Sequence, residues 1–451
     1  MRGYLMQKGK SSLVVAVLLI MVLTSACGGA KSTTGTSASP PSKEATATAA
    51  PTPKEKVVLK AIAHTSWIKT GMEVVLKDAA EKAGIDLQIE KVAEGETGDK
   101  LIQTRFATND KPDLLFFYSS QDNVSKLGKP EDNFALQEGQ EWFKNFDTKQ
   151  WTGSMDYDGK FYGAPYGGVQ AGVVFYNKKV FESLSLKIPT TVDEFMKVSE
   201  AIQKAGKIPF YLAGKDAWTL QLTPMVTGAT ADYLDTIKQI NVNKKKLTDL
   251  ASLKEGIQLM LDLKQKGLIN KTFLSDSYDN AEKAIANGDA GMYVMASWMM
   301  NDIVTKFPDK VNDLGAFLLP TADGKPHVPL FAPNALYVIK GGKNQEAAQR
   351  FVNYFESIAT QNIFFGNEGG IPAIKGVTKL TLTPAELDGK KFVELGVGVP
   401  AYSAGLKYSA GDFAAIVQGS LAGGYSPDKA LETLQKEFEK NAKAKEDPNF
   451  K

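Results

Sequence analysis

The sequence predicts an α/β protein with two lobes. Between Val57 and Phe117, segments with strand and helix patterns alternate. Strands separated by helices in this way pair in parallel, in a sheet with helices on both faces. The chain from Val57 to Lys451 is also long enough to form two lobes, each with its own hydrophobic core.

The first predicted elements follow each other closely. Their order is strand 57–63, helix 71–83, strand 85–92, helix 101–108 and strand 112–117. The helix over 71–83 is predicted from the spacing of Met72, Val75 and Leu76, which places them on one face. Gly84 then supplies a C-terminal stop, because glycine readily adopts the left-handed conformation that ends helices.

After residue 117, predicted strands and helices continue to the C-terminus. The sequence predicts further strands at 172–177, 291–295 and 334–339 and helices at 191–202, 250–266, 278–287, 346–358 and 429–440. Thr191 and Glu194 have the spacing of a capping box, which predicts where the helix at 191–202 begins. Pro427 lies in the first turn of the C-terminal helix, where proline is tolerated.

Two short segments directly follow predicted strands of the first sheet. They are His64–Trp67 and Tyr118–Gln121. In open α/β sheets, ligands bind outside the carboxyl ends of the strands. The sequence therefore predicts that these two segments lie on the ligand side of the sheet.

The N-terminal residues predict export and a lipid anchor. Arg2, Lys8 and Lys10 precede the apolar run 13–23, which is too short for a stable membrane span and is typical of a signal peptide. The run ends in Thr-Ser-Ala before Cys27, the single cysteine of the chain, and this ending resembles a bacterial lipobox. We expect residues 1–27 to be the signal peptide and lipobox, with Cys27 acylated.

Residues 28–56 are rich in Ser, Thr, Ala and Pro and have almost no large apolar side chains. Such a segment buries too little surface to offset its ordering entropy, which predicts a disordered tether. The folded body should begin near Val57, on the extracellular face of the cell membrane.

Composition excludes several classes of function. The net charge is +2 with no basic stripe, which argues against nucleic-acid binding. The chain has two histidines, His64 and His327, and its single cysteine, Cys27, is predicted to be acylated. A zinc site or a Cys/His nucleophile pair is therefore not expected. A Gly-rich phosphate loop is absent from the sequence. We therefore expect no cofactor and no metal.

Three motifs carry a resemblance to a known family. They are GKFYGAPYGGVQAGVVFYNKKVFESLSLKIPTTVDEFMKVSEAI at 159–202, AIANGDAGMYVMASWMMNDI at 284–303 and SPDKALETLQKEFEK at 426–440. Their order and spacing resemble the family 1 extracellular solute-binding proteins, the maltose-binding type of ABC importer receptor. The resemblance covers essentially the whole globular body.

This resemblance implies a two-lobe periplasmic-binding-protein type II fold with a hinge between the lobes. Crossings between lobes are expected near 166–170, 331–334 and 371–374. The lobes would comprise 57–168 with 332–372, and 169–331 with 373–451. The implied protein is a monomer that captures a carbohydrate and delivers it to the membrane permease subunits of an ABC importer, without catalysis.

Carbohydrate sites combine flat aromatic rings, which cover the C–H faces of a sugar, with planar polar side chains, which bind its hydroxyls. The candidate rings are Trp67, Tyr118, Tyr166, Trp218 and Trp298. The candidate polar partners are Ser66, Ser119, Gln121, Gln170, Gln221, Asp276 and Glu368. The resembling family places a sugar-stacking Trp where Trp298 stands and a polar hinge side chain where Gln170 stands. Trp142 and Trp151 are interpreted as structural residues of surface helices.

Three other functions share parts of this pattern. A carbohydrate-active hydrolase would need two carboxylates flanking the scissile bond, and no motif singles out such a pair. A receptor of the same fold for a peptide, amino acid or polyamine is a second alternative, of which a polyamine receptor would be expected to carry several acidic residues among its aromatic rings. A sensory binding protein that signals to a membrane kinase would share every feature.

Overall fold

The computed structural model describes residues 56–68, 70–93 and 95–451. The predicted signal peptide at 1–27, the acylated Cys27 and nearly all of the predicted tether at 28–56 lie outside the described residues. Glu55–Lys451 form one compact unit, to which the description below refers. Along the described ranges, no helix combines the length and apolar character needed to cross a bilayer.

The unit is built from strands and helices distributed along its whole length. The strands are β1 (Val57–His64), β2 (Ile85–Val92), β3 (Leu114–Phe117), β4 (Gly163–Tyr166), β5 (Gln170–Asn177), β6 (Ile208–Phe210), β7 (Ala290–Ala296), β8 (Leu314–Phe317), β9 (Val328–Phe331), β10 (Asn334–Val338) and β11 (Gly398–Pro400). The helices are α1 (Thr70–Ala83), α2 (Glu96–Ala107), α3 (Gln121–Val124), α4 (Pro130–Asn133), α5 (Thr148–Trp151), α6 (Lys178–Ser183), α7 (Val192–Lys204), α8 (Leu222–Thr227), α9 (Tyr233–Asn241), α10 (Ala251–Gln265), α11 (Tyr278–Asn287), α12 (Met299–Lys306), α13 (Gln345–Phe355), α14 (Ile358–Glu368), α15 (Pro384–Glu394), α16 (Phe413–Leu421) and α17 (Pro427–Ala444). Short 3-10 turns join several of them.

The first sheet has the strand order β2-β1-β3-β10-β4. Strand β1 pairs in parallel with both β2 and β3, which confirms the parallel arrangement predicted from the alternating pattern. Strand β10 then joins antiparallel to β3 and β4. Sequence periodicity predicted β10 itself but not its partners, because those partners lie far from it along the chain.

The second sheet has the order β11-β9-β5-β7-β6, with β8 also paired to β5. Strand β5 runs antiparallel to β7, β8 and β9 and is buried along most of its length. Helix α8 packs against β5 and β7, and α15 packs against β8 and β5. The two sheets, each with its own helices, agree with the predicted two-lobe α/β fold.

The chain passes between the two sheets twice through very short connections. Residues 167–169 join β4 to β5, and residues 332–333 join β9 to β10. Near the first connection, Val169 also forms a bridge with Ile371, in the segment between α14 and α15. The two short connections agree with the predicted crossings near 166–170 and 331–334, while the third crossing near 371–374 and the complete lobe boundaries stay predictions.

Most predicted helices and strands are confirmed, and the differences have local causes. Helix α2 begins at Glu96, whereas the predicted helix began at residue 101. The first turn of α2 is polar and lacks an apolar period, so the sequence pattern did not indicate it. The helix predicted over 346–358 ends at Phe355, and Ser357 caps a new helix by accepting a hydrogen bond from the Thr360 amide. Thr191 caps α7 as predicted. Glu194 accepts hydrogen bonds from both the amide and the hydroxyl of Thr190, one residue before the cap.

Trp142 and Trp151 belong to the hydrophobic core. Their exposed fractions are 4% and 1%. The interpretation of both as structural residues agrees with this burial, but their placement on a surface helix was wrong. Trp142 lies in a 3-10 turn and Trp151 ends the short α5, so the helical pattern inferred around them is largely absent.

Candidate functional site

A cavity of about 760 Å³ collects most of the predicted ligand-binding residues. Its volume is within the range typical of small-molecule sites. The predicted residues that line it are Ser66, Trp67, Tyr118, Ser119, Tyr166, Gln170, Trp218, Trp298 and Glu368. They come from the segments after β1 and β3, from both sides of the first crossing, from segments beside the second sheet and, for Glu368, from the end of α14.

The wall beside the first sheet is a packed group of aromatic rings. Trp67 meets Tyr118 edge-on, with 5.2 Å between ring centroids, and His64 lies 4.9 Å from Trp67. Trp67 and Tyr118 are both half-buried, so each ring packs on one side and lines the cavity with its remaining surface. The segments that follow β1 and β3 therefore meet at this cavity, and their position on the ligand side stays a prediction.

Buried tyrosine hydroxyls hold the main chain of this wall. The Tyr166 hydroxyl donates to the carbonyl oxygen of Trp67 at 2.7 Å, and the Tyr337 hydroxyl donates to that of Tyr118 at 2.9 Å. Tyr166 is 4% exposed, and burial, followed by the charge of Glu368, raises the pKa of its hydroxyl. Tyr166 thus lines the cavity and also positions Trp67.

His64 lies beneath the rings and is fully buried. Its Nδ1 is 2.9 Å from the carbonyl oxygen of Ala93, and its Nε2 is 3.1 Å from Asp99 Oδ1. These contacts fix the imidazole in place. They favour a structural role under Trp67 over direct contact with a ligand.

The opposite wall, beside the second sheet, has a second group of rings. Trp218 and Trp298 are 6.2 Å apart between centroids, Trp218 is 5.1 Å from Tyr278, and Trp298 is 5.3 Å from Phe331. Trp218 is 39% exposed, which is unusual for so large an apolar ring. Since exposed aromatic area in a concave site is available for stacking, this wall can cover the face of a ligand.

Gln170 begins β5 and is held by a small hydrogen-bond network at the crossing. Its Oε1 accepts from the Ser297 hydroxyl at 2.8 Å, and Ser297 Oγ accepts from the Ala171 amide at 3.1 Å. Its Nε2 donates to the carbonyl oxygen of Gly168 at 3.2 Å. The side chain is half-buried, and these hydrogen bonds hold its orientation at the edge of the cavity.

Two carboxylates line the cavity, Glu368 and Asp302. Glu368 ends α14, and its carboxylate lies so close to Gly71 that a Cβ there would overlap it. Gly71 is in the first turn of α1, where the helix dipole favours a negative charge. Asp302 accepts a 3.3 Å hydrogen bond from the Tyr278 hydroxyl. Among the described lining residues, none is Lys or Arg.

Three candidate residues lie elsewhere. Gln121 lines neither this cavity nor its neighbour, because the chain turns into α3 at that point. Gln221 lines a smaller adjoining cavity of about 360 Å³. Asp276 accepts from Asn270 Nδ2 at 2.6 Å and from the Thr272 hydroxyl at 2.7 Å, so it stabilises its own loop rather than the cavity.

Several lining residues were missed from the sequence. The main ones are Tyr278, Asn301, Asp302, Phe331 and Tyr402. Asn301 and Asp302 follow Trp298 by about one helical turn, a spacing that places them near it and could have indicated them. Tyr402 lies in the segment after β11, where the sequence has no helical or strand period and gives no comparable signal.

Together, the two sheets, the short crossings and the cavity between aromatic walls define a two-lobe binding protein of the periplasmic type. The family model described as bacterial extracellular solute-binding protein matches residues 64–362, and the chain belongs to this family. The membership predicted from the three sequence motifs is therefore confirmed.

Several known proteins similar to this chain are named for sugars. The multiple sugar-binding protein of Streptococcus mutans is 26% identical over 340 residues, covering 74% of this chain and 79% of that protein. Among solved structures, a chitin oligosaccharide binding protein matches with a TM-score of 0.70 and 21% identity, covering 86% of this chain and 99% of that chain. RafE in complex with raffinose matches with a TM-score of 0.69 and 22% identity, and the match covers 85% of this chain and 99% of that chain.

Proposed function

We propose that this protein is an extracellular carbohydrate receptor that delivers a sugar or oligosaccharide to the permease of an ABC importer. The observation that carries the proposal is the meeting of Trp67, Trp218 and Trp298 around one cavity. Rings on two facing walls can stack on both faces of a sugar, while Gln170 and the two carboxylates bind its hydroxyls. The names of the relatives, which include multiple sugars, chitin oligosaccharides and raffinose, support the same ligand class.

Binding without chemistry is part of this proposal. A hydrolase needs an acid with a raised pKa beside the scissile bond. Near this site, burial raises the pKa of Glu282 to about 7 and also raises the pKa of Asp122. Glu282 is fully buried and pairs with Lys306, and neither residue lines the main cavity. The hydrogen-bonded amide of Gln170 and the aromatic walls instead favour reversible capture.

A neutral ligand also fits the charge of the cavity better than a polyamine does. Asp302 already accepts a hydrogen bond from Tyr278, and Glu368 lies against the N-terminus of α1, whose dipole partly offsets its charge. Each carboxylate thus has a stabilising neighbour on the protein, and these two are the only carboxylates among the described lining residues, fewer than a polyamine site would be expected to carry. Binding of a neutral sugar should change little with ionic strength, whereas binding of a cation should weaken strongly with added salt.

The membrane-anchored form of the receptor is a further part of the proposal. Acylation of Cys27 would hold the body at the extracellular face of the membrane, next to the permease. A Cys27→Ser variant should then appear in the soluble fraction while the wild-type protein sediments with membranes. Sedimentation of both would contradict the lipoprotein assignment and leave sugar binding unaffected.

The binding function is tested with a panel of neutral mono- and oligosaccharides in a thermal-shift assay. A ligand that binds the native state raises the melting temperature in a concentration-dependent way. The hit is then incubated with the protein and analysed by chromatography. A stabilising sugar recovered unchanged supports the receptor. Cleavage of the sugar would indicate a hydrolase instead, and stabilisation only by peptides, amino acids or polyamines would indicate another solute.

A further inference from the structure

Helices α11 and α12 meet through a group of ionisable side chains beside the main cavity of about 760 Å³. On α11, Tyr278 and Glu282 are one helical turn apart and therefore share a face. On α12, Asp302 and Lys306 have the same spacing. Contacts between the two pairs join these four side chains, which we refer to as the α11–α12 cluster.

The cluster connects the cavity with a buried carboxyl group. Tyr278 and Asp302 both line the main cavity. Glu282 is fully buried and does not line it. Any influence of Glu282 on a ligand must therefore pass through the other members of the cluster.

Two hydrogen bonds hold the cluster together. The Tyr278 hydroxyl donates to Asp302 Oδ2 at 3.3 Å, and Lys306 Nζ donates to Glu282 Oε2 at 2.6 Å. Lys306 also pairs with Asp279 at 2.6 Å. The second oxygen of Glu282, Oε1, is buried and forms no hydrogen bond with any residue in the described ranges. Since a buried carboxylate oxygen without a donor disfavours the ionised form, these surroundings favour a proton on Glu282 more than water does.

The charges of the cluster are close enough to influence one another. Burial raises the pKa of Glu282 to about 7; Lys306 opposes this rise, and the charge of Asp302 adds to it. Burial, followed by the charges of Asp302 and Glu282, raises the pKa of the Tyr278 hydroxyl, which therefore remains a hydrogen-bond donor. Glu282 thus changes its charge near neutral pH, in the immediate neighbourhood of a carboxylate that lines the cavity.

Two further ionisable residues lie close to the cluster. Asp216 accepts a 2.7 Å hydrogen bond from the Tyr278 amide at the start of α11. Burial raises the pKa of Tyr293, on β7, well above its ordinary value, and the charge of Glu282 adds to this rise. Tyr293 is therefore a neutral hydroxyl beside Glu282. Of the carboxylates near Glu282, Asp302 is the one that lines the main cavity.

The other elements that pack against α11 place their ionisable groups elsewhere. These elements are β5 and the 3-10 turn Pro308–Asp313. Tyr176 of β5 packs against two phenylalanine rings. Asp309 is exposed, and Lys310 and Asp313 line a cavity of about 200 Å³ at the C-terminal end of α11. The protonation of the α11–α12 cluster therefore depends mainly on its own members.

A bound sugar would change the surroundings of Asp302. The sugar replaces water in the main cavity, so solvent screens the charge of Asp302 less and the repulsion between Asp302 and an ionised Glu282 increases. Glu282 then holds a proton more tightly in the complex than in the free protein. By linkage, a proton on Glu282 must strengthen sugar binding to the same extent.

We propose that Glu282 is a positioning residue of the sugar site, which acts on Asp302 within the α11–α12 cluster so that the affinity for sugar depends on whether Glu282 carries a proton. This inference rests on the proposed carbohydrate-binding function and adds its regulation by pH. Affinity is highest at low pH, where Glu282 is protonated in both states. It falls as the pH rises through neutrality, because binding must then take up a proton.

The experiment measures proton uptake by calorimetry. The sugar identified in the thermal-shift panel is titrated into the protein at pH 7 in buffers with different enthalpies of ionisation, because the observed heat includes that of protons taken from the buffer. The wild type should take up about 0.3 proton per sugar bound, and its affinity should fall about threefold from pH 6 to pH 8.5. Glu282→Gln should take up almost none and bind equally well across this range, because the amide stays neutral.

Two further variants define the role of Glu282. Asp302→Asn removes the neighbouring charge and should abolish the proton uptake, whatever its own affinity for the sugar. Glu356→Gln is the matched control, because Glu356 is also a buried carboxyl group whose pKa is raised by burial, but it does not line the main cavity. It should keep the proton uptake of the wild type. Melting temperatures check the folding of every variant.

The possible failures can be told apart. If the wild type binds sugar without proton uptake and with the same affinity from pH 6 to pH 8.5, the inference is overturned while the receptor function stands. This result needs only the wild type and does not depend on the folding of any variant. Undiminished uptake in Glu282→Gln would also overturn the inference, because another group would then bind the proton. If no sugar of the panel binds, the proposed function fails and the inference fails with it.

Discussion

The Tyr166 hydroxyl donates a 2.7 Å hydrogen bond to the main-chain carbonyl oxygen of Trp67. Tyr166 ends β4, directly before the chain crosses to the second sheet, whereas Trp67 lies in the loop after β1. The crossing and the aromatic wall of the cavity are therefore joined by one buried contact. A change at the crossing can in this way alter the position of a ligand-facing ring.

Tyr166→Phe tests how much the position of Trp67 matters, because the variant keeps the Trp67 side chain and removes the hydrogen bond that holds its main chain. The substitution leaves the carbonyl oxygen of Trp67 without its donor, which should lower the free energy of unfolding by about 1 kcal/mol. Because the Trp67 loop is then held less firmly, sugar affinity should fall about fivefold. Chemical denaturation and calorimetry measure the two effects. Tyr354→Phe, at an exposed tyrosine, is the control and should change neither.

Gly71→Ala should move a carboxylate without removing its charge. An added Cβ would occupy the space of the Glu368 carboxylate, whose flexible side chain must then shift. If Glu368 binds a sugar hydroxyl, the affinity should fall about tenfold, while the melting temperature should stay close to that of the wild type. Glu368→Gln, which keeps the shape of the side chain, is the companion variant. Wild-type affinity in Gly71→Ala would remove Glu368 from the site.

Glu356 predicts a pH dependence of stability that is independent of the ligand. Its side chain is 1% exposed, and its two carboxylate oxygens form no hydrogen bond with any residue in the described part of the chain. Burial raises the pKa of Glu356 well above its ordinary value. The folded state therefore holds this proton more tightly than the unfolded state does. The resulting stabilisation is fully present below the ordinary pKa of a glutamate and is lost as the pH rises above it.

Glu356→Gln should remove this contribution. Between the ordinary pKa of a glutamate and the raised one, the wild type should lose up to about 1.4 kcal/mol of stability per pH unit relative to the variant. Thermal unfolding of both proteins from pH 5 to pH 8 measures the difference. The exposed Glu346→Gln is the control and should follow the wild type. A constant difference between wild type and Glu356→Gln over this range would contradict the assignment.

The sequence could predict much of the fold because local patterns and tertiary structure agree. Gly84 ends α1 with a φ of 71°, as its position after an apolar helix face indicates, and α11 occupies the predicted residues 278–287. The break between α13 and α14 was missed because apolar residues continue across Ser357, and the cap that separates the helices is a single side-chain hydrogen bond.

Residues of the candidate site could be predicted only where they lie close to a strand or helix that the sequence pattern indicates. Trp67 and Trp298 lie within three residues after β1 and β7, and Trp218 lies in the 3-10 turn before α8, so each could be expected near the end of an element. Tyr402 reaches the cavity through an irregular segment after β11, and only the tertiary path of the chain brings it there. Gln121 was predicted at the cavity because it lies close to β3 in the sequence, but position in the sequence alone does not determine which side chains line the cavity.

The central claim is that aromatic rings on two facing walls hold one neutral sugar. It is tested most directly by calorimetric titration of the sugar identified in the panel into the wild type, Trp298→Ala and the double variant Trp67→Ala/Trp298→Ala. The account predicts that Trp298→Ala weakens binding at least about tenfold and that the double variant shows no measurable binding, with folding of both confirmed by circular dichroism. Wild-type affinity in the folded double variant would contradict the claim, because the sugar would then be bound without these walls.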